Sequence, residues 1–167
     1  MSDAMSYMLK MSTGQMMAAM AGTLAKAATH AKAAEIEDSV FLNARLYPDM
    51  LPMSRQAQIA CDTVTRGGAR LAGLDLPEYP DTEASFADLI ARTEKANNYV
   101  QGLDDDALNA SEHREMEIEL GPMTVNWPGR QYLATFVLPN LHFHAATAYG
   151  LLRHQGVVLG KREFLLG

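Results

Sequence analysis

The segment that decides the fold runs from Gly129 to Gly156 and reads GRQYLATFVLPNLHFHAATAYGLLRHQG. It contains three of the five histidines of the chain. We read it as one long helix, the last of a bundle, which ends at Gly156 because glycine readily adopts the left-handed conformation found at helix C-termini. Pro139 should bend this helix, since proline lacks the N–H group that a regular helix interior needs.

Immediately upstream, the period of the apolar residues changes from that of a helix to that of a strand. Met116, Ile118 and Leu120 alternate with glutamates within Glu115–Leu120. After Gly121 and Pro122, apolar residues alternate with polar ones again at Met123, Val125 and Trp127. Such alternation predicts a two-stranded hairpin with one apolar face. Because an isolated hairpin is only marginally stable, it should pack on the bundle or on a partner subunit, with Trp127 as its anchor.

Three further stretches carry apolar residues at steps of three and four, the spacing of one helical face. They run from about Ser12 to Ala34, from Pro52 to about Leu71 and from Ser85 to about Gly102. Ser85, followed three residues later by Asp88, resembles a capping box. The inward positions predicted for the second and third stretches are Met53, Ala57, Ala60, Val64, Gly68 and Leu71, and Phe86, Leu89, Thr93, Ala96, Val100 and Leu103. The sequence thus predicts an all-α four-helix bundle with a small β-hairpin before the last helix.

Two shorter segments connect and extend these helices. Residues Ser39–Leu46 could form a short helix capped by Asp38 or Ser39. Two prolines then make Tyr47–Leu51 a turn, with Pro52 at a first helical position.

The composition excludes several classes of protein. Twenty acidic residues against fourteen basic residues give a net charge of -6, which repels nucleic-acid backbones and anionic membrane surfaces. The single Cys61 rules out an internal disulfide, suits a reducing compartment and should be a small buried residue. No apolar run approaches the roughly 20 residues that span a bilayer, and Met1–Lys10 does not resemble a signal peptide. We therefore expect one cytoplasmic domain, residues 1–167, that binds neither nucleic acid nor membranes.

The last helix concentrates the residues that could carry chemistry. His142 and His144 point about 200 degrees apart on a regular helix, so only one of them can face the core. Asn140 and His144, four residues apart, share a face. A catalytic triad, a phosphate-binding glycine loop and a metalloprotease histidine pair are all absent from the sequence, which assigns no catalytic residue.

Four motifs, spread over nearly the whole chain, resemble those of a known superfamily. They are RLYPDM at Arg45–Met50, LPNLHFH at Leu138–His144, AYGLLRHQGV at Ala148–Val157 and LGKREFL at Leu159–Leu165. Together they resemble a bacterial domain-of-unknown-function family within the DinB/YfiT-like superfamily of four-helix-bundle metalloenzymes. The resemblance implies a DinB-like helical domain.

The superfamily places one metal-ligand histidine early in its second helix and an HxxxH pair in its last helix. Carried over to this sequence, the pair falls on Asn140 and His144, and the early ligand falls near Tyr47–Met50, where Asp49 is the plausible donor. The resemblance therefore implies a metal site of Asp49, Asn140 and His144, which departs from three histidines at two positions. Because an amide is a weaker ligand than an imidazole, any zinc, nickel or manganese ion should be held weakly.

Two functions remain open at this stage. In the first, the protein is a non-catalytic ligand-binding or interaction module with a degenerate metal site, where Asp49 caps the second helix or hydrogen-bonds His144. In the second, it is a divalent-metal-dependent enzyme acting on a small molecule and, by analogy with the superfamily, a thiol-dependent transferase. We also expect a homodimer, because small-residue helix faces, the apolar hairpin and the apolar tail at Phe164–Leu166 offer adhesive surface. That tail could dock on its own chain or across the dimer.

Overall fold

The computed structural model describes residues 3–166 and shows the predicted all-α architecture with one hairpin. Met1, Ser2 and Gly167, which complete the predicted domain 1–167, lie outside the described residues. The elements in chain order are α1 (Ala4–Ala33), α2 (Asp38–Leu42), α3 (Met53–Ala72), α4 (Phe86–Gln101), α5 (Asp105–Ala110), β1 (Glu115–Leu120), β2 (Met123–Pro128), α6 (Gly129–Tyr132), a π-helical turn (Leu133–Val137), α7 (Leu138–His154) and α8 (Lys161–Leu166). Around the bundle, α1 packs against α4, α4 against α3, α3 against α7, and α7 against α1. Within this part of the chain, no helix is both long and apolar enough to cross a membrane.

Helix α1 begins at Ala4 and not near Ser12, where the apolar spacing predicted its start. Met5 and Leu9 are both buried, so the inward face extends roughly two turns further toward the N-terminus. The flexible methionines suit this role because they fill irregular gaps in a core.

The chain between α1 and α3 differs from the prediction in detail. Helix α2 ends at Leu42, earlier than the predicted Leu46, and Pro52 is the N-cap of α3 instead of its first helical residue. The carboxylate of Asp38 does not cap α2 but accepts a hydrogen bond of 3.0 Å from the backbone N–H of Phe86. Asp38 therefore links the start of α2 to the start of α4.

The predicted inward faces of α3 and α4 are confirmed, since all of their predicted positions are buried. The capping box is confirmed as well, because Ser85 and Asp88 exchange hydrogen bonds at the start of α4. Among the polar side chains buried on these helices are Gln56 at 2% exposure and Arg92 at 5%. These two residues build most of the polar structure described below.

The predicted hairpin is confirmed and packs on the bundle of its own chain. Met116 pairs with Trp127 and Ile118 with Val125 across the antiparallel ladder. Met116 and Ile118 are buried and their partners are partly buried against the core, whereas the side chain of Leu120 lies outside the described part. Met123, predicted on the same apolar face, is instead 61% exposed, at the turn end of β2. Gly129, the residue after β2, approaches the bundle so closely that a Cβ atom there would clash with the carbonyl oxygen of Ser111.

Where Pro139 predicted a bend, the last helix contains a π-helical turn. This turn occupies Leu133–Val137, and α7 resumes regular geometry with Pro139 in its first turn. The placement follows from Pro139, whose ring and missing N–H disfavour a regular helical turn on its N-terminal side. Gly156 has a φ of 89° and ends the helix as predicted.

The C-terminal tail docks on the same chain through α8. Phe164 packs edge-on against Tyr149 with ring centroids 5.5 Å apart. Lys26 of α1 forms a 2.8 Å salt bridge with Glu163, which holds the pKa of that carboxyl at about 2. Of the two alternatives for the tail, the structure therefore shows docking within the chain, and the homodimer stays a prediction.

Candidate functional site

His144 lies on α7 and faces the start of α3. Its Nδ1 is 2.7 Å from Oε1 of Gln56, whose Nε2 donates a 3.0 Å hydrogen bond to the carbonyl oxygen of Leu51. An amide nitrogen can only donate, so the bond to Leu51 turns the oxygen of Gln56 toward the imidazole. The neutral ring therefore carries its proton on Nδ1 and keeps a lone pair on Nε2. Burial lowers the pKa of His144, which favours this neutral form.

The structure brings together two of the three predicted site residues. Asn140 lies one turn before His144 on α7, and both side chains are partly buried. Asp49 lies in the turn before α3 and is exposed. The expected role of Asp49 is corrected, because the N-cap of α3 has no side-chain hydrogen bond and Gln56 supplies the hydrogen bond to His144. His142 is exposed, so only one of the two neighbouring histidines faces inward, as predicted.

The donor set of Asp49, Asn140 and His144 fits a divalent metal poorly on chemical grounds. It offers one imidazole nitrogen, one amide and one carboxylate that is exposed on a turn. Tightly held zinc takes histidine, cysteine or carboxylate ligands that converge from a fixed scaffold. Among residues 3–166, no three His, Cys, Asp or Glu side chains form a group that could hold a metal ion. Any ion at the predicted set would thus depend on the amide of Asn140.

Arg92 is the centre of a polar cluster that the sequence did not predict. Its guanidinium lies 2.7 Å from Asp62 of α3 and 2.8 Å and 3.2 Å from Glu83 and Asp81 of the loop before α4. Gln58 of α3 donates a 2.7 Å hydrogen bond to the second oxygen of Glu83. A buried guanidinium needs such partners, because an unpaired charge in the interior is strongly destabilising. The cluster therefore fastens the loop to α3 and α4.

The pKa values of two carboxyl groups in this cluster are shifted in opposite directions. Burial raises the pKa of Asp62 against the opposing hydrogen bond and charge of Arg92. Burial also acts to raise the pKa of Glu83, but hydrogen bonds from Arg92 and Gln58 outweigh it and hold that pKa below its usual value. Glu83 is therefore the more firmly ionised partner of the guanidinium.

Cys61 is buried beneath the same face of α3, as predicted. Burial raises the pKa of its thiol to about 12, so the residue stays protonated at neutral pH. Because the thiolate is the nucleophilic form, Cys61 is unsuited to attack a substrate.

A groove runs along α3 beside α7 and the π-helical turn. One part, with a volume of about 330 Å³, is lined by Ile59, Asp62, Thr63, Arg66, Gly67, Arg70, Glu119, Tyr132, Phe136 and Asn140. A second part of about 570 Å³ lies against the loop, and Asp62 and Arg66 line both parts. A larger hollow of about 600 Å³ lies between α1, α2 and the start of α4, where Asp38 and Ser85 are already hydrogen-bonded. The chemistry therefore points to the groove and not to this hollow.

The walls of the first part of the groove are aromatic and cationic. The rings of Tyr132 and Phe136 stack with centroids 5.5 Å apart and an angle of 15° between their planes. The Nη1 of Arg70 lies 3.4 Å from the Tyr132 hydroxyl, and its guanidinium lies 5.8 Å from that ring centre. Arg66, one turn earlier on α3, is exposed and makes no hydrogen bond or ion pair with any residue of the described chain. The groove thus combines an aromatic stack with a guanidinium that is free to bind.

The sequence does contain a signal that Gln56 and Arg92 are buried polar residues. Gln56 follows Met53 by three residues and precedes Ala60 by four, and Arg92 has the same relation to Leu89 and Ala96. A polar residue at a predicted inward position indicates a buried polar group that needs a partner.

Comparison with known proteins supports the observed architecture. The family described as "Domain of unknown function (DUF1993)" matches residues 8–165 of this chain. A solved structure, the crystal structure of a DinB family member protein from Shewanella denitrificans, has a TM-score of 0.88 and 31% sequence identity. The similarity covers 100% of this chain and 97% of that chain. No curated protein matches the chain.

The Arg92 cluster predicts that two arginines that both pair with Asp81 differ in how much free energy of unfolding their replacement costs. Replacing Arg92 with Met should lower the free energy of unfolding by about 1.5 to 3 kcal/mol, because it removes charge-assisted hydrogen bonds to the partly buried carboxylates of Asp62 and Glu83. Arg55, which also pairs with Asp81 but is about one third exposed, provides the control. Arg55→Met should cost at most about 1 kcal/mol. Chemical denaturation of both variants measures the difference, and equal losses would contradict a structural role for the buried cluster.

Proposed function

This chain belongs to the DUF1993 family of DinB-like proteins, and we propose that it is a non-catalytic ligand-binding module with a degenerate metal position. The groove along α3 is its proposed binding site. The observation that carries the proposal is the free guanidinium of Arg66 beside an aromatic stack and the amide of Asn140. Small-molecule sites commonly combine an apolar wall with a few polar groups that fix the orientation of the ligand.

The contacts of the polar candidate residues support binding over catalysis. His144 and Gln56 are hydrogen-bonded to each other, and Asp62 is paired with Arg92. The Cys61 thiol is buried and protonated. These groups are committed to holding the fold, whereas the amide of Asn140 makes no hydrogen bond with other described side chains. The groove can therefore bind a ligand without disturbing the core.

Fragment binding followed by NMR tests this proposal. A set of small aromatic compounds, some neutral, some cationic and some anionic, is titrated into the labelled protein. We expect the shifted amides to cluster in residues 62–70 and 132–140. Thr63→Trp, which fills the groove from α3, should weaken binding at least tenfold, whereas Thr29→Trp on the exposed face of α1 should not. Shifts scattered over the surface, or unchanged by Thr63→Trp, would contradict the proposal.

A divalent-metal-dependent enzyme is the second candidate, and one observation favours it. A metal-ligating histidine usually donates its other ring N–H to a fixed oxygen, which is the relation of His144 Nδ1 to Gln56. In this alternative Asp49, Asn140 and His144 would hold zinc, nickel or manganese. The ion would supply an activated water or polarise a substrate, and thiol-dependent transfer is the activity that the superfamily suggests. The protein residues would orient the ion and hold the neutral imidazole in place.

Melting curves separate the metal candidate from the binding module. If the metal candidate holds, saturating zinc, nickel or manganese should raise the melting temperature, because an ion that binds only the folded state stabilises it. The His144→Ala variant, which loses the imidazole ligand, should then show no rise. We predict instead that all three ions leave the unmodified protein unchanged. A rise that disappears in His144→Ala would favour the metal candidate.

A further inference from the structure

The ridge of α3 that borders the groove carries four polar side chains at successive steps of four residues. They are Gln58, Asp62, Arg66 and Arg70. Residues four apart on a helix lie on one face, about one turn from each other. Gln58 binds Glu83, Asp62 binds Arg92, and Arg70 contacts Tyr132. Arg66 is the member of this series whose side chain makes no hydrogen bond or ion pair within the described residues, although its charge acts on Asp62 one turn earlier.

The two arginines of the ridge place like charges one turn apart. The partner of Arg70 is a phenol hydroxyl, which is neutral, so its positive charge remains uncompensated by that contact. The carboxylate of Asp62 is paired with Arg92 at 2.7 Å, and the charge of Arg66 acts on it as well. Glu119, on β1, is the other acid that lines this part of the groove, and it is exposed. Two guanidinium groups thus line the groove with one paired and one solvated carboxylate, and an anion bound between the guanidinium groups would relieve their mutual repulsion.

The remaining wall of the groove favours a planar ligand. Phe136 is partly buried and stacked on Tyr132, so one aromatic face is fixed in position. Aromatic rings and planar π systems stack on such faces in an offset arrangement. The volume of about 330 Å³ lies at the lower end of the range for small-molecule sites, which suits one or two fused rings.

We infer that the ligand of the groove is a small aromatic anion whose carboxylate or phosphate binds Arg66 and Arg70 while its ring stacks on Phe136. This inference rests on the proposed function, since it names the chemical class of ligand for the same groove. A guanidinium binds a carboxylate or phosphate through paired charge-assisted hydrogen bonds, which give direction as well as attraction. Asn140, one turn beyond Phe136 on the other wall, can hydrogen-bond a substituent on the ring.

A matched pair of compounds tests the charge requirement. Titrations of 2-naphthoate and 2-naphthamide differ in charge but have nearly the same shape, and 2-naphthyl phosphate distinguishes a phosphate from a carboxylate. Naphthoate or naphthyl phosphate should bind at least tenfold more tightly than naphthamide. Inorganic phosphate, which has no ring to stack, should bind more weakly than either anion.

A variant of Arg66 tests whether this residue binds the anionic group of the ligand. Arg66→Gln should weaken binding of the preferred anion at least tenfold and leave binding of naphthamide unchanged. Arg66 is exposed, so the variant should fold, and circular dichroism checks this. Arg130→Gln, an exposed arginine in α6 outside the groove, is the control and should change neither affinity.

The outcomes separate this inference from the proposed function. If naphthamide binds in the groove as tightly as both anions, or if Arg66→Gln leaves anion binding unchanged, the inference is overturned and the groove remains a binding site. If no fragment of any charge binds in the groove, both the inference and the proposed function fail.

Discussion

Burial of the Arg92 guanidinium imposes the constraint on which the rest of the polar structure depends. Moving one such charge from water into a protein interior costs several kcal/mol, and the cost is recovered only when carboxylates and hydrogen bonds surround it. Here α3 supplies Asp62 and the loop before α4 supplies Asp81 and Glu83. A loop without regular secondary structure is thereby fastened at one place to two helices. The same contacts fix the carboxylate of Asp62 at the border of the groove.

The polar ridge of α3 connects this structural requirement to the proposed function. Three members of the ridge are each held by a different neighbour: Gln58 by Glu83, Asp62 by Arg92 and Arg70 by Tyr132. The π-helical turn that brings Tyr132 and Phe136 into a stack precedes Pro139, which disfavours regular helical geometry on its N-terminal side. Pro139 thus accounts for the π-helical turn that lies beside this aromatic wall. Arg66 remains free on this ridge, which makes it the residue best placed to meet a ligand.

The sequence predicted those features whose signals are local. Helical spacing, the capping box at Ser85 and the alternating residues of the hairpin each depend on neighbours within a few positions, and the structure confirms them. The partners of inward polar residues could not be predicted in this way. His144 and Gln56, which are hydrogen-bonded, are 88 residues apart in the sequence, and Arg92 and Asp62 are 30 residues apart. The sequence indicates that such a side chain is buried, but only the packing of whole helices determines what it contacts. For the same reason the expected bond from Asp49 to His144 was wrong, although the turn that carries Asp49 was predicted correctly.

The mobility of the loop before α4 is the most direct test of the claim that Arg92 organises this part of the molecule. Backbone ¹⁵N relaxation can be compared between the unmodified protein and Arg92→Met at the amides of residues 78–79 and 81–84, with residues 56–70 of α3 as the internal reference. In the unmodified protein the loop should be nearly as rigid as a helix, with order parameters of about 0.8. In Arg92→Met the loop values should fall below about 0.6 while those of α3 remain unchanged. A loop that stays equally rigid in the variant would contradict the account, because its position would then not depend on the buried charge.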